Sequence, residues 1–299
     1  MLLNELPGWT FIGEMDGLWD IGSKRPATAD CGCGETVLEC PYWSHVYYQS
    51  LLAGENKPYS RELLLATLRQ LNERIIFNLQ SHGRKNSPPA AQDADSEAAM
   101  SLARILSRAA SEADSSVIVH SSKDILVSRL LACAPDLEHY YVVLTRDPRG
   151  VVNSRIRSAY RRREAGRHPN SFALFSRKLL VWREARYWNI ENRELIGRFP
   201  SANTSSTVYI KYEALAANPN ESTRMITQVV TGSDAAPPID FAGFVPAPNH
   251  IIKGNRIRKT SETVSVRPDT SFMRELRFLE PTIVSYLTRK TRTVLGYGN

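Results

Sequence analysis

Two rhythms of apolar positions alternate along the chain. Short runs rich in β-branched and aromatic residues, SSVIVHSS (115–122), HYYVVLTR (139–146) and STVYIKYE (206–213), predict short buried strands. Longer stretches with apolar residues three or four apart predict helices. Residues 1–6 read as a helix tail broken at Pro7-Gly8, and WTFIGE (9–14) as a strand with a glycine bend. Ser60 would cap RELLLATLRQLNERIIFNLQ, whose apolar residues recur at 64, 68, 71, 75 and 79. Helices are also expected over 97–112, from KDILVSR up to Pro135, and over 149–163, 171–197, 219–231 and 270–290.

Between these elements lie segments with neither rhythm. Residues 23–44, rich in Gly, Pro and Cys, predict a loop insertion. HGRKNSPPAAQDADS (82–96) predicts a mobile polar loop, residues 235–248 a proline-rich one and HIIKGNRIRKT (250–260) a basic one. Strands alternating with helices predict an α/β chain built on a parallel sheet with helices on both faces. In such sheets ligands sit beyond the carboxyl ends of the strands. Three strand ends are polar at that position: Ser121-Ser122-Lys123, Arg146-Asp147-Pro148-Arg149 and Lys211-Tyr212-Glu213.

Composition narrows the picture only a little. The chain has 299 residues, 42% hydrophobic and 23% charged, enough to bury a core without disulfide staples. Its net charge of +7 favours an anionic partner or ligand without naming one. No run approaches the ~20 apolar residues of a membrane span, and the N-terminus lacks the pattern of a signal peptide. Three of the four cysteines, Cys31, Cys33 and Cys40, lie close together and the fourth is Cys133. This is not a secreted disulfide scaffold, so a reducing cytoplasm is the expected compartment. Cys31, Cys33 and Cys40 with His45 could ligate zinc, but the C-x-C-x₆-C spacing is unlike common zinc knuckles and the expected metal set is none.

The charge concentrates after the YYVVLT run. Arg146 should emerge at the sheet rim, Asp147 is placed to cap the next helix and Pro148 suits its first turn. Ser154 follows on the first turns. A helix start, a guanidinium fork and a hydroxyl together suit one phosphate group. Arg149, Arg155, Arg157 and Arg161–Arg163 read instead as a solvated helix face or the wall of an entrance.

On these residues the chain resembles the sulfotransferases that use 3′-phosphoadenosine-5′-phosphosulfate (PAPS), in their bacterial form. R-D-P-R-G-V-V-x-S after an apolar strand is similar to that family's 3′-phosphate segment, with Arg146 and Ser154 in its gripping positions. VIVHSSKDILVSRLL, VYIKYEALAANP, HIIKGNRIR, FIGEMDGLWDIG with CGCGETVLECPYW, and the closing LGYG resemble further segments in the right order.

The resemblance implies a P-loop-NTPase-like three-layer fold, with a central parallel sheet flanked by helices, as a single domain over 1–299. It implies sulfuryl transfer from PAPS to a hydroxyl or amine of a small-molecule, carbohydrate, lipid or peptide acceptor. No metal and no nucleic-acid partner are implied. Glu14 would be the base, with Asp16, His45 and His120 as weaker candidates. Lys123 would steady the leaving phosphate. Tyr212 would lie near the nucleotide, and Lys253, Gly254, Asn255 and Arg258 would close over it.

One family segment has no counterpart. The loop resembling G-x-x-R-S-G-T-T, which would cradle the 5′-phosphosulfate, is absent, and the chain starts as if just after it. The first strand would be absent with it, leaving apolar sheet edges uncovered. A late start codon and a truncated gene product are the two explanations, and activity of the chain as given depends on which holds. The alternatives are a non-catalytic 3′-phosphonucleotide-binding relic, a P-loop kinase of similar fold and a basic RNA-binding protein.

Overall fold

A computed structural model of the chain describes residues 2–14, 30–52, 62–63, 66–71, 73, 93–121, 131–132, 134, 136–165, 176–199, 206–234, 239–240, 243–246, 248–254, 256–260 and 262–298. The chain divides into two compact units, Met1–His139 with Ala242–Ser265, and Tyr140–Phe241 with Val266–Asn299.

In the first unit, strand β1 (Trp9–Gly13) pairs in parallel with β2 (Val117–His120). A short 3₁₀ turn, Leu2–Glu5, precedes β1 where a helix tail is expected. Helices α1 (Pro41–Leu51) and α2 (Asp93–Glu112) pack beside this pair. The core joins Trp43, Val46 and Tyr47 of α1 to Leu102 and Ile105 of α2, with Ile12 and Ile252. Helix α1 falls inside and beyond the expected 23–44 loop. Its Pro41 presets the first turn, and Trp43, Val46 and Tyr47 are spaced to bury one face. Helix α2 begins at Asp93 rather than at 97. Of the helix expected after Ser60, residues 62–63, 66–71 and 73 are helical and the rest lies outside the described residues. So does most of the KDILVSR helix.

In the second unit, β3 (Tyr141–Thr145) pairs in parallel with β4 (Thr207–Lys211), Val142 beside Val208 and Leu144 beside Ile210. Helices α3 (Pro148–Glu164) and α4 (Arg177–Arg198) follow β3. After β4 come α5 (Tyr212–Ala217) and α6 (Pro219–Thr231). The expected helix over 270–290 is two helices, α7 (Phe272–Glu275) and α8 (Glu280–Val294). Pro281 explains the break: it suits a first helical turn, but it has no N–H for the carbonyl four residues back and its ring crowds that carbonyl, so a helix cannot run through it. The Glu280 carboxylate accepts the Arg277 N–H at 2.8 Å and pairs with Arg177 at 2.8 Å. Val152, Ile156, Leu180, Val181, Ala185 and Val284 form the core between α3, α4 and α8.

Parallel pairing and helical connections bear out the α/β expectation. Among the described residues the strands form two separate two-stranded pairs, so the single central sheet is not seen as such. On β3, Val142 and Leu144 are 40% and 50% exposed, while their partners Val208 and Ile210 are buried. No helix among the described residues is long and apolar enough to cross a membrane.

Trp188 ties the second unit's packing to its strand end. It is 2% exposed and packs on Leu295 and Tyr297, and its indole N–H donates to the Arg146 carbonyl at 3.2 Å. Trp188→Ala should cost about 3–5 kcal/mol in urea unfolding. Trp188→Phe should cost about 1 kcal/mol beyond its lost volume, for the missing hydrogen bond. A Trp188→Ala variant as stable as the parent would contradict this packing.

Candidate functional site

The end of β3 is assembled by hydrogen bonds that the local sequence makes available. Asp147 caps α3, accepting from the Arg149 N–H at 2.8 Å, and also pairs with the Arg149 side chain at 2.6 Å. That contact with Asp147 raises the Arg149 pKa. Pro148 occupies the first turn, as its fixed φ favours. The Asp147 N–H donates to Glu213 of α5 at 3.0 Å, linking the ends of β3 and β4. Tyr297, near the chain end, lies 3.1 Å from both Thr145 Oγ1 and Glu213. Burial, first, and the nearby Glu213 push the Tyr297 phenol up, so it stays protonated and can donate.

Arg146 leaves this corner and lies across the start of α3. A Cβ on Gly150 would sit 3.0 Å from Arg146 Nε. The guanidinium carbon stands 4.3 Å from the centre of the Tyr212 ring, a cation–π contact. Arg146 donates to Asp269 Oδ2 at 2.9 Å, and Arg157 donates to the same oxygen at 3.2 Å. Two guanidinium groups thus converge on one carboxylate oxygen. Ser154, half-buried, lies one turn beyond Gly150 and just before Arg157 on this helix face. Ser271, through its hydroxyl and then its main-chain N–H, and Arg146 together hold the Asp269 carboxyl well below the usual carboxylate range.

The sequence-predicted residues therefore fall into three groups. Arg146 and Tyr212 come together in the second unit, at the start of the helix that carries Ser154. In the first unit, the Glu14 N–H donates to the Ile252 carbonyl at 3.0 Å, which brings Glu14 beside Lys253 and Gly254. Gly13, at φ +90°, has to be glycine there, since a Cβ would lie 2.0 Å from the Ile252 oxygen. Arg258 of that loop donates to the Asp30 carbonyl at 3.2 Å. Lys123, Asn255 and Asp16 lie outside the described residues.

The weaker histidine candidates are also engaged. His45 lies 2.9 Å from Arg108 and 3.4 Å from Glu112. Burial, then His139, lowers the His120 pKa to about 4, so its imidazole is neutral at pH 7.

Three contributors escape a sequence reading. Arg157 looks like one of a solvated set, yet it pairs with Asp269 and, at 3.4 Å, with Glu275. Arg155 also turns back, onto Glu191 at 2.6 Å. Asp269 sits just before the Ser271 turn, and only that short capping pattern could have marked it. The third is His250. Cys31, Cys33 and Cys40 do converge, but their fourth neighbour is His250 and not His45.

No family model and no curated protein matches this chain. Two solved structures are similar in outline. One is the sulfotransferase domain from the curacin biosynthetic pathway, at 13% identity and a TM-score of 0.41, covering 98% of this chain and 99% of that one. The other is the sulfotransferase domain from the Synechococcus PCC 7002 olefin synthase, at 14% identity and a TM-score of 0.41, covering 98% and 96%. Likeness at this level decides neither the fold nor the activity.

Asp269 supplies a pH test of the corner. Its carboxyl pKa is held below the unfolded value near 3.8, so its contribution to stability is present above that value. That contribution is lost progressively as pH falls below about 4 and on through the much lower folded value. The stability gap between parent and Asp269→Asn, followed by urea midpoints, should therefore be constant from pH 7 to about 5 and narrow steadily as pH falls below about 4. A gap independent of pH would contradict the ion-pair geometry.

Proposed function

We propose that the corner between β3 and α3 binds the 3′-phosphate of an adenine nucleotide, and that the chain is a PAPS-dependent sulfotransferase. The observation that carries this reading is the convergence of Arg146 and Arg157 on one carboxylate oxygen of Asp269. The corner already holds an anion between two guanidinium forks, at a strand end where α/β sheets take ligands. A phosphate has more acceptor oxygens and more charge than a carboxylate, so it would compete for the same donors. Ser154 on that helix offers a further hydroxyl, and the Tyr212 ring lies against the Arg146 guanidinium.

In the proposed reaction the bond between sulfur and the bridging 5′-phosphate oxygen breaks, and its electron pair stays with the phosphate. A new bond forms from sulfur to the acceptor oxygen or nitrogen. The acceptor's proton passes to a carboxylate, for which Glu14 is the candidate. By the family resemblance, Lys123 would neutralise charge on the leaving phosphate, and Lys253, Gly254, Asn255 and Arg258 would contribute to nucleotide binding. As in phosphoryl transfer, alignment and charge stabilisation would carry most of the catalysis.

Calorimetry with adenosine 3′,5′-bisphosphate and with the 5′-monophosphate tests the phosphate assignment. The bisphosphate should bind at least about tenfold more tightly, the effect of one charge-assisted hydrogen bond or more. Arg146→Ala should abolish that preference. Equal affinity of the parent chain for both nucleotides would overturn the reading. Preference for the bisphosphate without sulfuryl transfer to any acceptor would select the non-catalytic alternative.

A further inference from the structure

The first unit holds a second cluster of chemistry-bearing side chains that the nucleotide reading does not use. Cys31, Cys33, Cys40 and His250 bring their ligand atoms within 4.8 Å of one another. All three cysteines are free thiols. Cys31 Sγ lies 3.6 Å and Cys40 Sγ 3.2 Å from the same nitrogen, His250 Nδ1. A tetrahedral zinc site with Zn–S near 2.3 Å and Zn–N near 2.0–2.1 Å has ligand–ligand edges of about 3.5–3.8 Å. The two observed separations bracket the short end of that range.

The surrounding backbone is built to hold these four groups together. Residues 30–36 form a tight hairpin: Asp30 bridges Thr36, and the Cys31 N–H donates to Glu35 at 2.8 Å. Cys33 sits in its turn. Cys40 follows at the N-terminus of α1, its N–H donating to the Thr36 carbonyl at 2.8 Å. His250 arrives from a segment 210 residues further on. Asn249 crosses so closely over Gly32 that a Cβ there would lie 1.9 Å from the Asn249 Oδ1, so only glycine lets the two segments meet. The His250 ring stacks flat on Tyr42 at 4.7 Å and 6°. The Trp43 indole donates to the His250 carbonyl at 2.7 Å. Ring stacking and backbone anchoring both fix which ring nitrogen meets the sulfurs. Cys31 and Cys40 are fully buried and Cys33 is exposed.

We propose that Cys31, Cys33, Cys40 and His250 form a structural zinc site. Three thiolates and an imidazole are a soft donor set that selects zinc over the hard divalent cations. Four protein ligands leave no open position, so the site would brace rather than react. What it would brace is the segment after His250. Ile252 pairs with Gly13, and Lys253 follows. The metal would thus pin the Lys253–Gly254 loop and the end of β1 to the cysteine hairpin. This inference is independent of the nucleotide reading and stands or falls without it.

The test is the metal content and cobalt spectrum of the full-length chain. Protein produced with zinc in the medium should carry one zinc per chain by elemental analysis. Replacement by cobalt(II) should give thiolate-to-metal charge-transfer bands and the intense visible bands of a tetrahedral ion. Chelation should lower the melting temperature. Cys40→Ser and His250→Ala should lose the zinc, His250→Cys should retain it, and His45→Ala should retain it. Where a variant fails to fold, the parent's cobalt spectrum decides alone. An octahedral, thiolate-free spectrum, zinc-free protein after refolding in excess zinc, or a Cys31–Cys40 disulfide in freshly purified protein would each overturn the proposal.

Discussion

The second unit turns on the placement of one charged side chain at the end of an apolar strand. Arg146 follows Leu144 and Thr145 directly, where the chain leaves the sheet. Its carbonyl is held by Trp188, its guanidinium carbon lies over Tyr212, and its N–H groups reach Asp269. Each partner comes from a different element, α4, the start of α5, and the segment before α7. A half-buried guanidinium has to be satisfied by acceptors, and that requirement draws these elements to one corner. The Asp147–Glu213–Tyr297 chain does the same for the neighbouring backbone. Packing and electrostatics therefore specify the same geometry.

The parts of this corner encoded locally were legible in the sequence. A β-branched run followed by R-D-P announces a strand, a capping aspartate and a helix start, and all three appear. Helix α6 was legible to the residue because Asn218-Pro219 opens it and Gly232, in the left-handed conformation, closes it. Other features depended on distant partners. Arg157 is indistinguishable from Arg155 or Arg161 until Asp269 is known to face it. His250 cannot be paired with cysteines some 210 residues away by spacing, whereas His45, five residues from Cys40, was the natural candidate. The helix break before Pro281 was readable in principle, since proline lacks an N–H and crowds the carbonyl four residues back, but apolar periodicity alone runs through it.

The first unit shows how glycine positions carry topology. Gly13 and Gly32 each permit a backbone approach that a Cβ would block, one against Ile252 and one against Asn249. Both approaches involve the same late segment, 249–252. That segment is therefore threaded between the end of β1 and the cysteine hairpin, and its two following residues, Lys253 and Gly254, have positive φ values of 53° and 93°. The basic loop thus starts beside Glu14 in a left-handed backbone conformation. That threading explains why a metal at the hairpin would matter beyond its own ligands.

The central claim is that a phosphate takes the place now held by the Asp269 carboxylate between Arg146 and Arg157. The most direct measurement is the affinity for adenosine 3′-monophosphate of the parent chain and of Asp269→Asn, compared at low salt and neutral pH. Removing the internal competitor while keeping the side chain's size should tighten binding in the variant. Unchanged or weaker binding would contradict the account.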